Sequence, residues 1–267
     1  MKRVLTLVCC LAFPTATDGQ TVESKDVTAI LAGFPSADHR EREKSFNSLL
    51  ALAGPAPGPD WLQQLFKRAP TSEEPIRLGL IRLLEKENAR VKTAKSLGED
   101  YLDYWLSVIV AVASLKDMRA LPALIDDMGH GQITMNAVVA YGPVVIDSLL
   151  ARSGDSDMSM RGSVMLALSQ MLESHRGALD STARTRIKNA LTKGTADSSW
   201  SVRISAVMGL ASVPDADVTE LLRRIAASDP FSHPAARGQA PSFPVRNAAL
   251  RALAGRSPSL SPASVQN

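Results

Sequence analysis

The chain has 267 residues, a net charge of +3 and a hydrophobic share of 45%, of which only a small part is aromatic. That length can bury a full core, the charge is too small for a nucleic-acid footprint, and a core of Leu, Ala, Val and Ile suits packed helices better than a β-sandwich. Basic side chains gather late: residues 176–267 carry 12 Lys and Arg against 6 Asp and Glu.

The first twenty residues differ from the rest. Lys2 and Arg3 precede an apolar run, Val4 to Phe13, and then a small polar stretch from Pro14 to Gln20. This is the layout of a secretory signal, with cleavage expected after Gly19. The run is well short of the roughly 20 residues that span a membrane, so no transmembrane helix is expected in the mature chain. Cys9 and Cys10 both fall inside the run, and Thr6-Leu7-Val8 is a poor lipidation signal. The mature chain is then expected to lack cysteine, and with it disulfides, thiolate metal sites and a cysteine nucleophile. The expected address is periplasmic or secreted.

Residues 21–35 read as a linker or short helix. A helix follows over Ser36–Ala53, with Phe46, Leu49, Leu50 and Leu52 behind the charged start Asp38 to Lys44. Gly54 to Pro59 breaks it. Asp60 opens a short helix with Trp61, Leu62, Leu65 and Phe66. A helix from Ser72 carries Ile76, Leu80, Leu83 and Leu84, with a weak partner near Lys92–Leu97. Tyr101–Leu115 pairs with Met118–Met128 across Lys116-Asp117. Gly129–Tyr141 pairs with Val144–Arg152, Asp157–Leu172 with Ser181–Lys193, and Ser198–Ser212 with Asp217–Ala227. Phe243–Ala254 is a final single helix. The Ser- and Pro-rich residues 255–267 read as a disordered tail. Strand signals are nearly absent.

A short phrase recurs through this series. An apolar residue precedes Arg77, Arg161, Arg203 and Arg246, and a Leu follows each at seven residues: Leu84, Leu168, Leu210 and Leu253. The steps between the arginines are 84, 42 and 43 residues, so the first gap holds a degenerate copy in which Trp105 occupies the Arg203 position. Self-similarity at this period signals stacked hairpins, each burying an apolar stripe against its neighbour. Gly79, Gly162 and Gly209 lie inside helices, at a cost of about 1 kcal/mol each relative to Ala, and so imply close approach.

The phrase Asp197-Ser198-Ser199-Trp200-Ser201-Val202-Arg203-Ile204-Ser205-Ala206-Val207-Met208-Gly209-Leu210-Ala211, with its Pro-Asp corner and Leu-rich second helix, resembles a HEAT repeat. Leu115 to Ile125 and Tyr141 to Leu150 resemble second-helix phrases of the bacterial HEAT-like type. The resemblance covers residues 36–254. It implies an all-α solenoid of about six stacked hairpins in a right-handed superhelix, and a non-catalytic protein-interaction scaffold. It also implies that the repeated arginines, Arg77, Arg161, Arg203 and Arg246, bond an acid or carbonyl of an adjacent repeat. Other HEAT-like chains are lyases or DNA glycosylases, and a deep pocket ringed by Tyr101, Tyr104, Trp105 and carboxylates would favour such an enzyme. An envelope-associated module using the basic C-terminal half is a further alternative.

No Gly-x-Ser-x-Gly elbow, phosphate-binding loop or dinucleotide fingerprint occurs, and no cofactor is expected. Asp126, Asp127 and His130 could share a helix face as metal ligands, but read better as a solvated helix end. Asp155-Ser156-Asp157 begins like a calcium loop, yet Met160 and Leu166 stand where Gly and Glu are needed, so a capping turn is expected. Two stretches remain as candidate partner contacts. One is a basic strip of Arg184, Arg186 and Lys188 with Arg223 and Arg224. The other is the long connection 228–243, with Phe231, His233 and Arg237, read as a binding loop or a spacer outside the packed core. The partner is expected to be a protein, not a nucleic acid.

Overall fold

The computed structural model describes residues 22–54, 58–94, 98–234 and 240–256. The expected signal segment, Arg237 and most of the expected tail lie outside them. The chain is all-α, and among the described residues the only β-pairing is an isolated bridge between His233 and Ser242. Two compact units divide at Leu115/Lys116.

The first unit holds α1 (Ser24–Leu31), α2 (His39–Leu52), α3 (Trp61–Arg68), α4 (Glu73–Thr93) and α5 (Glu99–Ser114). Asp38 caps α2 by accepting from the Arg40 N–H at 3.0 Å, which satisfies one of the free donors of a helix start. Phe46, Leu49, Leu65, Ile76, Leu80, Leu83 and Leu84 are buried and form its core. α1 lies across α4 at Gly79, where a Cβ would sit 3.0 Å from Leu31 Cδ2.

The expected weak helix near Lys92–Leu97 does not form as a separate element: Lys92 and Thr93 are the end of the 21-residue α4, and residues 95–97 lie outside the description. Helix α4 packs against α5 instead. Its inner stripe continues past Leu84 through Glu87 and Asn88, two buried polar residues at helical spacing. Polar residues in an inner stripe disguise its length.

The second unit holds α6 (Leu121–Asp126), α7 (Gln132–Val139), α8 (Ile146–Arg152), α9 (Met158–Ser174), α10 (Ser181–Gly194), α11 (Trp200–Leu210), α12 (Ala216–Ser228) and α13 (Pro244–Ala254). The packing is that of a repeat array. Helix α7 packs on α9, α9 on α11 and α11 on α13, while α10 touches both α9 and α11. Each element meets its neighbours in a row, as in an α-solenoid. Asp157 caps α9 through the Ser159 N–H at 2.9 Å, and Asp180 caps α10 through the Ala183 N–H at 2.6 Å.

Small residues set the closeness of the row. A Cβ at Gly209 would stand 2.8 Å from Leu191 Cδ2 and 3.0 Å from Ser169 Cβ, so a larger residue there would have to displace the Leu191 side chain. Ala206 beside it is fully buried. Gly162 departs from expectation: its nearest neighbours would be ordinary contacts at 3.9 and 4.0 Å. The tail expectation also changes at its start. Gly255 and Arg256 form a turn, and the Arg256 guanidinium donates to the carbonyls of Leu210, Ala211 and Val213 and to Thr219 Oγ1. It thereby closes the carbonyl end of α11.

Candidate binding surface

The repeated arginines share one geometry. Arg161 Nη1 donates to the carbonyls of Asp155 and Ser156, six and five residues earlier, at 2.8 and 3.1 Å. Its Nε and Nη2 grip the Asp197 carboxylate at 2.7 and 2.9 Å. Arg203 repeats this with the carbonyls of Asp197 and Ser198 at 2.9 and 3.2 Å and the Asp229 carboxylate at 2.8 and 3.1 Å. The planar guanidinium fork matches a carboxylate at two points and still has a third side for the cap loop.

Arg42 belongs to the same set, and the recurring phrase did not reveal it. It donates to the carbonyls of Ser36 and Ala37 at 2.9 and 3.0 Å and to the Glu87 carboxylate at 2.5 and 3.0 Å. The available signal was the spacing from the cap: Asp38 stands four residues before Arg42, as Asp157 does before Arg161. Arg77 is a variant, pairing with Glu73 of its own helix at 2.7 Å and donating to the Leu115 carbonyl at 3.0 Å. Arg246 donates to the Asp229 carbonyl at 2.6 Å and lies 4.4 Å from the Phe243 ring centre.

Glu87 is the buried centre of the first unit. Besides Arg42 it accepts from Tyr101 at 2.8 Å and Tyr104 at 3.0 Å, while Trp105 donates to Asn88 at 3.3 Å. Trp105 thus makes a polar bond from the Arg203-equivalent position. Burial, with the adjacent Glu87 carboxylate, pushes both phenols above their ordinary range. Tyr101, Tyr104 and Trp105 are all buried. They close over the Glu87 carboxylate.

An opening lies in the second unit, on the face made by α7, α9 and α11. It is an open groove of about 610 Å³. Its floor is a stripe of α9: Ser163, Leu166, Gln170 and Glu173. Met135 of α7 and the exposed Met208 of α11 form the two sides. Apolar groups thus alternate with amide, hydroxyl and carboxylate groups along one helix, which suits apolar contact with hydrogen bonding to an extended chain. Thioether side chains adapt to irregular surfaces.

The expected basic strip is largely paired. Lys188 binds Asp215 at 2.7 Å and Asp217 at 3.3 Å, Arg186 binds Asp147 at 2.7 Å, and Arg223 lies 3.4 Å from Glu220. Arg184 donates to the Arg176 carbonyl at 2.6 Å, and Arg224 is exposed.

The long connection is packed at its base and exposed at Ser232–Pro234 and Ala240–Ser242, with residues 235–239 outside the description. Asp229 is buried as the partner of Arg203. Phe231 stacks on Trp200 at 4.8 Å with the planes 7° apart, and His233 meets both rings edge-on. His233 and Ser242 exchange backbone bonds at 2.8 and 3.3 Å. Trp200 was not among the expected contact residues, although its place three before Arg203 matches Met158 and Phe243.

Among the described residues no group of three His, Cys, Asp or Glu could hold a metal, and this includes Asp126, Asp127 and His130. Asp155 accepts from the Asp157 N–H at 2.9 Å, as a capping turn does.

No protein-family model and no curated protein sequence matches the chain. Among solved structures it is similar to a designed armadillo repeat protein in complex with the peptide (KR)4, at 13% identity, over 86% of this chain and 99% of that one, with a TM-score of 0.41. It is also similar to computationally designed armadillo repeat proteins for modular peptide recognition, at 13% identity over 86% and 99% with a TM-score of 0.39. A third is an engineered protein, at 11% identity over 87% and 98% with a TM-score of 0.40.

Proposed function

We propose that this chain is a non-catalytic scaffold that binds an extended segment of a partner protein in the α7–α9–α11 groove. The observation that carries the reading is the groove itself. Leu166 and Met208 offer apolar contact there, and Gln170 and Glu173 offer hydrogen bonds along the same stripe. The arginines that could have formed a polyanion site are occupied by Asp197 and Asp229. The strongest cluster of titratable side chains, around Glu87, is buried and saturated. Residues 1–20 support export, so we place the partner in the cell envelope or outside the cell.

A photo-crosslinking side chain at Met208 tests the reading. In cells that express the chain, it should capture one protein partner in the exported fraction. Leu166→Glu and Gln170→Ala should lower that capture several-fold without changing the melting temperature. Capture that is insensitive to both changes would sink the groove as the site.

A further inference from the structure

Among the described residues α13 is the last first helix of the row, and one stripe there departs from the others. Four residues after each arginine of the row stands an apolar side chain: Phe46, Ile81, Met165, Val207 and Leu250. The first four are buried; Met165 is 1% exposed and Val207 0%, whereas Leu250 is 54% exposed. Seven residues after each arginine, Leu49, Leu84, Leu168 and Leu210 are fully buried, whereas Leu253 is half-buried. Residues four and seven apart share one helix face, so Arg246, Leu250 and Leu253 form one stripe, with Leu250 exposed and the other two half-buried.

The charge pattern departs at the same place. Arg42, Arg77, Arg161 and Arg203 each meet a carboxylate. Arg246 has a carbonyl and a ring, and among the described residues no carboxylate within ion-pair distance. No Asp or Glu follows Asp229 in the sequence, while Arg237, Arg246, Arg251 and Arg256 do. The described residues thus supply no carboxylate to this rung.

We propose that the Arg246–Leu250–Leu253 stripe of α13 docks an acidic amphipathic helix of a partner protein. The partner sets a carboxylate on Arg246 and an apolar side chain on Leu250. The array shows the chemistry that fills such a stripe: Asp197 follows the end of α10 by three residues, and Asp229 follows α12 directly. Leu250 gives α13 an exposed apolar position where its counterparts in the row are buried. A second copy meeting through α13 would set Arg246 and Arg251 against their own equivalents with no acid between them, a like-charge contact that opposes pairing. The inference rests on the scaffold reading only in taking a protein as the partner; its face is not the groove.

The probe is a fluorescent synthetic peptide of residues 214–230, which carries α12 and Asp229, titrated into the purified chain and followed by anisotropy. Saturable binding is expected, weakened about tenfold or more by Leu250→Asp or Arg246→Gln in the chain and by Asp229→Asn in the peptide. Leu250 is exposed, so Leu250→Asp should keep the melting temperature and isolate docking from folding. Leu166→Glu in the groove should leave this titration unchanged, which separates the two surfaces. No binding, or binding indifferent to Leu250→Asp, overturns the proposal. Sedimentation with phosphatidylserine vesicles while the peptide is ignored overturns it in favour of a lipid surface. Concentration-dependent dimers abolished by Leu250→Asp overturn it in favour of self-association.

Discussion

Arg203 and Asp229 meet at two points, 2.8 and 3.1 Å, and both are buried. The pair ties the start of α11 to the residue directly after α12. Removing one partner strands a buried charge, which costs about 3–5 kcal/mol. Asp229→Ala should therefore lower stability by about 3 kcal/mol in urea unfolding, and deletion of 228–243 should cost at least as much. A deletion variant that melts with the parent would show that Arg203 finds another partner.

Glu87→Gln tests the centre of the first unit. The amide keeps the shape but loses the charge opposite Arg42 and offers donors where Tyr101 and Tyr104 already donate. A loss of about 3 kcal/mol is expected. Paired replacement of Arg42 and Glu87 by apolar residues should recover part of it, measured as a double-mutant cycle.

The tyrosines give a prediction at high pH. Burial raises all three phenols, Tyr141 to about 12. The folded values exceed the ordinary value of about 10. The neutral phenols' contribution is thus fully present below about pH 10 and is lost as pH rises through the folded values. Tyrosinate absorbance should stay low in the folded chain near pH ~10 and rise together with unfolding. A normal titration curve in the folded chain would contradict the buried hydroxyls.

The acid limb has the opposite sign. The hydrogen bond from Arg161 holds the Asp197 carboxyl below its ordinary value, and the Ser199 N–H adds to this. The contribution is present above about pH 4 and is lost as pH falls through the lowered folded value. Asp197→Asn should destabilise at neutral pH and flatten the fall in melting temperature on acidification. An unchanged acid profile would count against the Arg161 pair.

Ala206→Asp addresses the stacking face. The residue is fully buried, next to Gly209 and close to Gly194, where a Cβ would come within 3.0 Å of Ala206 Cβ. A carboxylate there has neither water nor room, so a loss of at least about 3 kcal/mol is expected by thermal unfolding. A neutral outcome would argue for a different packing of α10 on α11.

Apolar spacing made the helices of the second unit legible, because Val164, Leu168, Val202, Ala206 and Leu210 keep a helical period without interruption. It failed in α4, where Glu87 and Asn88 take inner positions and look like surface. The arginine row was visible wherever an apolar residue precedes the Arg and a Leu follows at seven, as at Arg161 and Arg203. Arg42 escaped because its neighbours Arg40, Glu41 and Glu43 make a charged helix start that resembles a solvated one. Asp229 escaped because an acid directly after a helix carries no local mark of its partner. Pairings of this kind depend on how repeats stack, and spacing along one repeat does not encode that. The groove was hidden for the same reason: Met135, Leu166 and Met208 come from three separate helices.

Asp197 and Asp229 each hold one arginine with the side chain and another with the backbone oxygen: Arg161 and Arg203 at Asp197, Arg203 and Arg246 at Asp229. Loosening either aspartate releases two helix starts together. The amides of α9, α11 and α13 should then open as a single hydrogen-exchange unit, and fraying from the far end of the array should halt only when it reaches α7.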